Sequence, residues 1–152
     1  MNIVVLKFGG TSVADIPQIK NIALKIKLEV EKGNKVIVVV SAMSGVTNNL
    51  INLVKNTSDM PPYSEYDTVI STGEQITSAL LAIALEKISI KARSWLGWQI
   101  PIVTDKTYGK SVIEKIKTDN ISKDLEVNQV AIVSGFQGVS SENRITTLGR
   151  GG

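Results

Sequence analysis

The chain has 152 residues, of which 43% are hydrophobic and 20% charged, with a formal net charge of +3. That balance suits one folded domain with a proper core and speaks against disorder, and a small positive excess without a basic block leaves no footprint for nucleic acid. Cysteine and histidine are both absent, which removes disulfides, thiolate metal sites, cysteine nucleophiles, the usual general base and the usual nitrogen ligand of zinc.

Residues 2–8 read as a buried strand. Asp15 is placed to cap a helix with Pro17 in its first turn. Ile16, Ile19, Ala23, Ile26 and Val30 then share one helical face, and Gly33 and Asn34 end it. Residues 36–40 form a β-branched run, the pattern of a strand covered on both faces. Val46, Leu50, Leu53 and Val54 make the stripe of a second helix, and residues 59–62 a loop. Residues 68–71 fit helix or strand. Ile76, Leu80, Ile83 and Ala84 mark a third helix. Short strands are expected at 88–92 and 100–103, a short helix at 111–116 and a buried strand at 130–134. A hairpin is expected over 136–147, turning at 140–143. Strands alternating with helices predict an α/β fold, an αβα sandwich around a mainly parallel sheet. No segment approaches the length of a membrane-spanning helix, and no secretory leader is visible. The expectation is therefore a cytoplasmic protein without a membrane partner.

In such sheets ligands bind outside the carboxyl ends of the strands. Four clusters fall there: residues 7–10 (KFGG), 41–47 (SAMSGVT), 134–138 (SGFQG) and 146–152 (TTLGRGG). The first makes a phosphate cradle. Gly9 and Gly10 remove the Cβ atoms that keep an anion away from backbone N–H groups. The helix start that follows adds free N–H groups and a partial positive charge. Lys7 adds a full charge, at a desolvation cost if its strand is buried. The same residues also fit a tight strand-to-helix turn with a snorkelling lysine.

The other clusters have plain alternatives as well. Ser41 and Thr47 fit helix capping. Ser71-Thr72-Gly73-Glu74 matches a capping box in which Glu74 reaches back to Ser71. Arg150 fits a solvated arginine, although its flanking glycines allow a ligand close. Trp95 and Trp98 fit packing better than stacking. There is no Walker A motif, no G-x-G-x-x-G and no G-x-S-x-G, and without histidine no Ser-His-Asp triad can form.

KFGGTSV at 7–13, VVSAMSGVTNNL at 39–50, STGEQ at 71–75, SWLGWQIPI at 94–102, SGFQG at 134–138 and ITTLGRGG at 145–152 come in this order. Together they resemble the aspartate kinase branch of the amino acid kinase family. The resemblance implies ATP-dependent phosphorylation of the side-chain carboxylate of L-aspartate to 4-phospho-L-aspartate, at the entry to lysine, threonine, methionine and diaminopimelate synthesis. By the same resemblance Lys7, Phe8, Gly9 and Gly10 hold the ATP phosphates, and Lys7 stabilises the transferring phosphoryl group. Ser41 and Thr47 lie in the aspartate pocket. Glu74 pairs with the substrate ammonium, and Arg150, with Gly151 and Gly152, grips a substrate carboxylate. Mg²⁺ arrives with the nucleotide, and no protein residue is assigned to metal.

The chemistry agrees with the composition. A carboxylate nucleophile is ionised at neutral pH and needs no general base. Phosphoryl transfer depends on alignment and charge neutralisation. The resemblance covers all of this chain but only the start of the family's. Residues 1–152 would be the amino-terminal part of a catalytic domain with a truncated amino acid kinase-like fold. The serine and aspartate that follow GRGG in the family, and the regulatory ACT domains, are absent. Little kinase activity and no feedback by lysine or threonine are expected of such a fragment, and an open sheet edge predicts a homo-oligomer. Leu96 stands where the family more often has a small polar residue. Two other readings stay open. One is another acid kinase such as glutamate 5-kinase, against which SAMSGVTNNL and GFQG argue. The other is a non-catalytic, nucleotide-binding fragment.

Overall fold

A computed structural model describes residues 2–149. Their elements, in chain order, are β1 (Ile3–Phe8), α1 (Ile16–Glu31), β2 (Lys35–Val40), α2 (Val46–Thr57), α3 (Tyr63–Ile70), α4 (Thr72–Lys87), β3 (Ala92–Trp95), β4 (Ile102–Thr104), β5 (Ile113–Ile116), α5 (Asp119–Val127), β6 (Val130–Ser134), β7 (Gln137–Val139) and β8 (Ile145–Thr147). One sheet runs β1-β2-β6-β3, every pair parallel. A second runs β5-β4-β7-β8; its β7–β8 pair is the hairpin expected over 136–147, but the sheet as a whole is not announced by the sequence. There only β4 and β7 are parallel.

The parallel sheet is the middle of three layers. Ile19, Ile22, Ala23 and Ile26 of α1, with Leu81 and Leu85 of α4, pack on Val36, Val38, Val40, Val130 and Ile132. Ile121 and Leu125 of α5 pack with Trp95, Ala131 and Val133 on the other side, where Ile37 and Val39 join them. Thus β2 is covered on both faces, as its β-branched run predicts. Local signals set the ends of α1. The Asp15 side chain accepts from Gln18 N at 2.9 Å. Gly33, at φ 85°, then turns the chain out through the left-handed region that favours glycine.

Several expectations are corrected. β1 is not buried: it is the outer strand of its sheet, with Ile3 and Val5 exposed. Residues 68–71 are helical up to the Ser71 junction. Residues 88–92 are mostly the turn out of α4, with Ser89 at φ 63°, and the strand starts only at Ala92. Residues 111–116 hold strand β5 instead of a helix. Val112 and Ile113 favour extended backbone, and β5 pairs antiparallel with β4. Helix α5 has no counterpart in the sequence reading, since only Ile121 and Leu125 supply its buried apolar stripe.

The apolar stripes of α2 and α4 are only partly inward: Val54 is buried, and Leu80 and Ala84 pack against the core. Leu53 is exposed, as are Ile76 (51%) and Ile83 (65%). α4 buries Gly73, Glu74, Thr77, Ser78, Leu81 and Leu85 instead. Its inward face is largely polar because it bonds to what it touches: Ser78 Oγ lies 2.9 Å from Ser134 Oγ. α3 and α4 continue through Ser71 as one 25-residue stretch, Tyr63–Lys87, whose most apolar 18-residue window has a mean hydropathy of 1.3. By length and composition this stretch could cross a membrane, contrary to the sequence reading. Its buried face carries Asp67, Ser71, Glu74, Thr77 and Ser78, the arrangement of a core helix.

Candidate active site

The carboxyl ends of β1, β2 and β6 open on a cleft of about 670 Å³. Lys7, Gly10, Ser41, Thr47 and Glu74 all line it, as do Met43, Tyr66 and Phe136. The Phe8 side chain packs against the core instead. Arg150, Gly151 and Gly152 lie outside the described residues.

Lys7 is exposed because β1 is an edge strand, so the desolvation argument for it falls. Its position remains informative. It sits at the cleft, and among the described residues no carboxylate forms an ion pair with it. Beyond it, Ser12 and Val13 N–H both donate to Gly9 O, at 2.9 and 3.3 Å. The N–H groups of Gly10 and Thr11 find no backbone acceptor among the described residues. A Cβ on Gly9 would meet nothing within 4 Å, and its φ is not left-handed. The protein's own packing therefore does not require glycine there. Free N–H groups, an open Cβ position and a cation fit a phosphate chain.

The capping alternatives fail. Gly45, at φ 77°, is the N-cap of α2, with no side-chain cap, so neither Ser41 nor Thr47 serves that role. Ser71 is helical and donates its hydroxyl to Thr68 O at 3.1 Å, so no capping box forms. Glu74 turns into the cleft wall. Its Oε1 accepts from Ala42 N at 3.1 Å, and its Oε2 is buried without a partner. The residue is 4% exposed. Burial pushes its carboxyl up to about 7, outweighing the opposite pull of the Ala42 N–H. Gly73 makes this approach possible, since a Cβ there would stand 2.8 Å from Ala42 Cβ.

At the end of β6 the backbone closes on β2: a Cβ on Gly135 would lie 2.8 Å from Val40 O. Phe136 follows at φ 65°, a strained value for an aromatic residue, and its carbonyl accepts from Leu148 N at 2.9 Å. Gln137, also buried, donates through Nε2 to Ser71 O at 2.9 Å. Trp95 is buried, donates to Asp124 Oδ2 at 3.2 Å and carries the Arg93 guanidinium 4.0 Å from its ring centroid. Trp98 is exposed and does not line the cleft. Trp95 fits the packing role. Among the described residues no group of three or more acids could hold a metal ion.

Asp67 is a buried acid that sequence reasoning missed. It is fully inside and accepts from Gly109 N, Thr147 N and Thr147 Oγ1. The only signal was an acid seven residues before Glu74, at a spacing that puts both on one helical face.

A parallel α/β sheet whose strand ends open on a cleft with a lysine, two hydroxyls and a buried carboxylate defines a small-molecule site of the doubly wound type. Residues 2–152 match the amino acid kinase family, and the chain belongs to that family. The aspartokinase of Rickettsia felis is 52% identical over 155 residues, covering 100% of this chain and 39% of the relative. The aspartokinase of Geobacillus stearothermophilus is 48% identical over 152 residues, covering 100% of this chain and 37% of its own length. Among solved structures, aspartate kinase from Synechocystis superposes with a TM-score of 0.82 at 41% identity, over 100% of this chain and 25% of that one. E. coli aspartokinase III, solved with aspartate and ADP, gives 0.81 at 20% identity over 100% of this chain and 44% of that one, a likeness of fold alone. The chain thus spans about two fifths of the length of the curated relatives it matches.

Proposed function

We propose that this chain forms the aspartate site and the phosphate cradle of an aspartate kinase, which transfers the γ-phosphoryl group of ATP to the side-chain carboxylate of L-aspartate. The observation that carries the reading is Glu74: a buried carboxylate with one oxygen that has no partner among the described residues, set in the same cleft as a lysine with no ion pair among them. An α-ammonium group supplies the missing partner and restores the charged carboxylate. Ser41 and Thr47 offer hydroxyls to the rest of the amino acid, and Arg150, with Gly151 and Gly152, takes a substrate carboxylate. Lys7 and the N–H groups of the Gly9–Gly10 turn that follows Phe8, with those of Gly10 and Thr11 free of backbone acceptors among the described residues, hold the phosphates. The relatives at 48–52% identity, all named as aspartokinases, support the choice of amino acid.

In the reaction a side-chain carboxylate oxygen bonds to the γ-phosphorus. The bond from that phosphorus to the bridging oxygen breaks, and ADP leaves with the electron pair. No proton moves, because the nucleophile is already ionised, so a site without histidine suffices. Catalysis rests on alignment and on neutralising the charge of two anions. Lys7 and Arg150 contribute cations, and Mg²⁺ carried by the nucleotide adds charge neutralisation. The product is 4-phospho-L-aspartate, the entry to lysine, threonine, methionine and diaminopimelate synthesis. Use of ATP and a free amino acid assigns the enzyme to the cytoplasm.

The test is ADP release by the full gene product with aspartate or glutamate offered in parallel and hydroxylamine trapping the acyl phosphate. Turnover on aspartate, lowered about a hundredfold or more in Lys7→Ala, is expected. Preference for glutamate, or ADP binding without turnover, would overturn the assignment.

A further inference from the structure

Asp67 and Glu74 lie seven residues apart on one buried face of the continuous α3–α4 helix, two turns or about 10 Å along its axis. Glu74 belongs to the cleft, whereas Asp67 is not part of its lining. Both Asp67 oxygens are instead occupied by the exit of β8 and the loop beside it. Oδ2 accepts from Thr147 N at 2.8 Å and Gly109 N at 3.0 Å, and Oδ1 accepts from Thr147 Oγ1 at 2.7 Å. Thr147 is pinned from the other side too, since its carbonyl accepts from Ser111 N at 2.9 Å. Leu148, the next residue, lines the cleft and donates to Phe136 O. Between the two acids, Ser71 O accepts from Gln137 Nε2 on β7. One helix face therefore holds the β2 loop through Glu74, β7 through Ser71 and β8 through Asp67. A buried carboxylate is costly and an apolar helix–strand contact would pack as well. What the carboxylate adds is a fixed placement of one strand end relative to Glu74.

We infer that Asp67 is a positioning residue for the amino-acid substrate. It fixes the exit of β8, whose next residue Leu148 lines the cleft, against the helix that carries Glu74. Two parts of the cleft lining, Leu148 and Glu74, are thereby held in a fixed relation to each other. This inference rests on the aspartate reading above.

Steady-state kinetics on the full gene product with Asp67→Asn, Thr147→Val and Thr147→Ser test it. Asparagine turns an amide N–H₂ toward groups that themselves donate, and valine removes only the hydroxyl donor. The KM for aspartate is expected to rise about tenfold or more in Asp67→Asn, with a smaller rise in Thr147→Val. Thr147→Ser, which keeps both donors, retains the wild-type KM. The KM for Mg-ATP stays within about twofold throughout. If Asp67→Asn does not fold, Thr147→Val decides, and an unchanged aspartate KM overturns the inference. Parallel losses for aspartate, ATP and kcat that track the melting temperature overturn it as well. A wild-type protein that neither binds nor phosphorylates aspartate would sink the functional reading itself. Wild-type turnover with unmoved KM in the variants would sink only the role of Asp67.

Discussion

Glu74 carries a pKa of about 7 against an ordinary 4.5, because its burial penalises the ionised form more than one backbone N–H favours it. Between those two values the folded chain holds a proton that the unfolded chain has released. Stability therefore falls as pH rises through that window and levels off above it, by up to about 3 kcal/mol. Glu74→Gln removes the titration. Urea denaturation at pH 5 and pH 8 is predicted to show a smaller loss of stability with pH in the variant than in the wild type, and equal slopes would contradict this. At this scale the cleft was largely legible, since Lys7, Gly10, Ser41, Thr47 and Glu74 sit in short local motifs at strand ends. Asp67 was not, because its partners lie 42 and 80 residues away along the chain and no local spacing encodes them.

Elements were legible where their signals were local. Asp15 brackets α1 through its capping carboxylate and Gly33 through its freedom to take a left-handed φ, as both residues predict. α4 misleads because apolar periodicity draws in Ile76 and Ile83, which face solvent. The first half of its buried face is polar, spent on hydrogen bonds and on close approach to the β2 loop, and only Leu81 and Leu85 further on are apolar. Gly73 is the contact point of that approach. Gly73→Ala pushes α4 away from Ala42, with an expected cost of about 1–3 kcal/mol and weaker aspartate binding through the displaced Glu74. Thermal melts paired with an aspartate titration measure both effects. A variant with wild-type stability and affinity would show that the 2.8 Å approach relaxes freely. The short strands β4, β5, β7 and β8, of three or four residues each, have too little sequence to reveal that they form a sheet of their own.

For the molecule as a whole, alternating elements were enough to predict a parallel α/β sandwich, since burial on both faces writes itself into runs such as residues 36–40. The molecule also leaves apolar surface uncovered. β1 is an open edge with Ile3 and Val5 exposed, and Leu24, Leu28 and Ile83 stand out from α1 and α4. Open edges and apolar faces favour association. Sedimentation is predicted to show self-association that grows with concentration, and a single monomer at all concentrations would contradict it. The central claim is that the α-ammonium of aspartate is received by Glu74 in its charged form, and calorimetric titration of the whole protein with L-aspartate between pH 6 and pH 8 tests it most directly. The account predicts affinity roughly tenfold weaker at pH 6 than at pH 8, with proton release on binding at the lower pH. Affinity that is flat across this range, or that persists in Glu74→Gln, would contradict it.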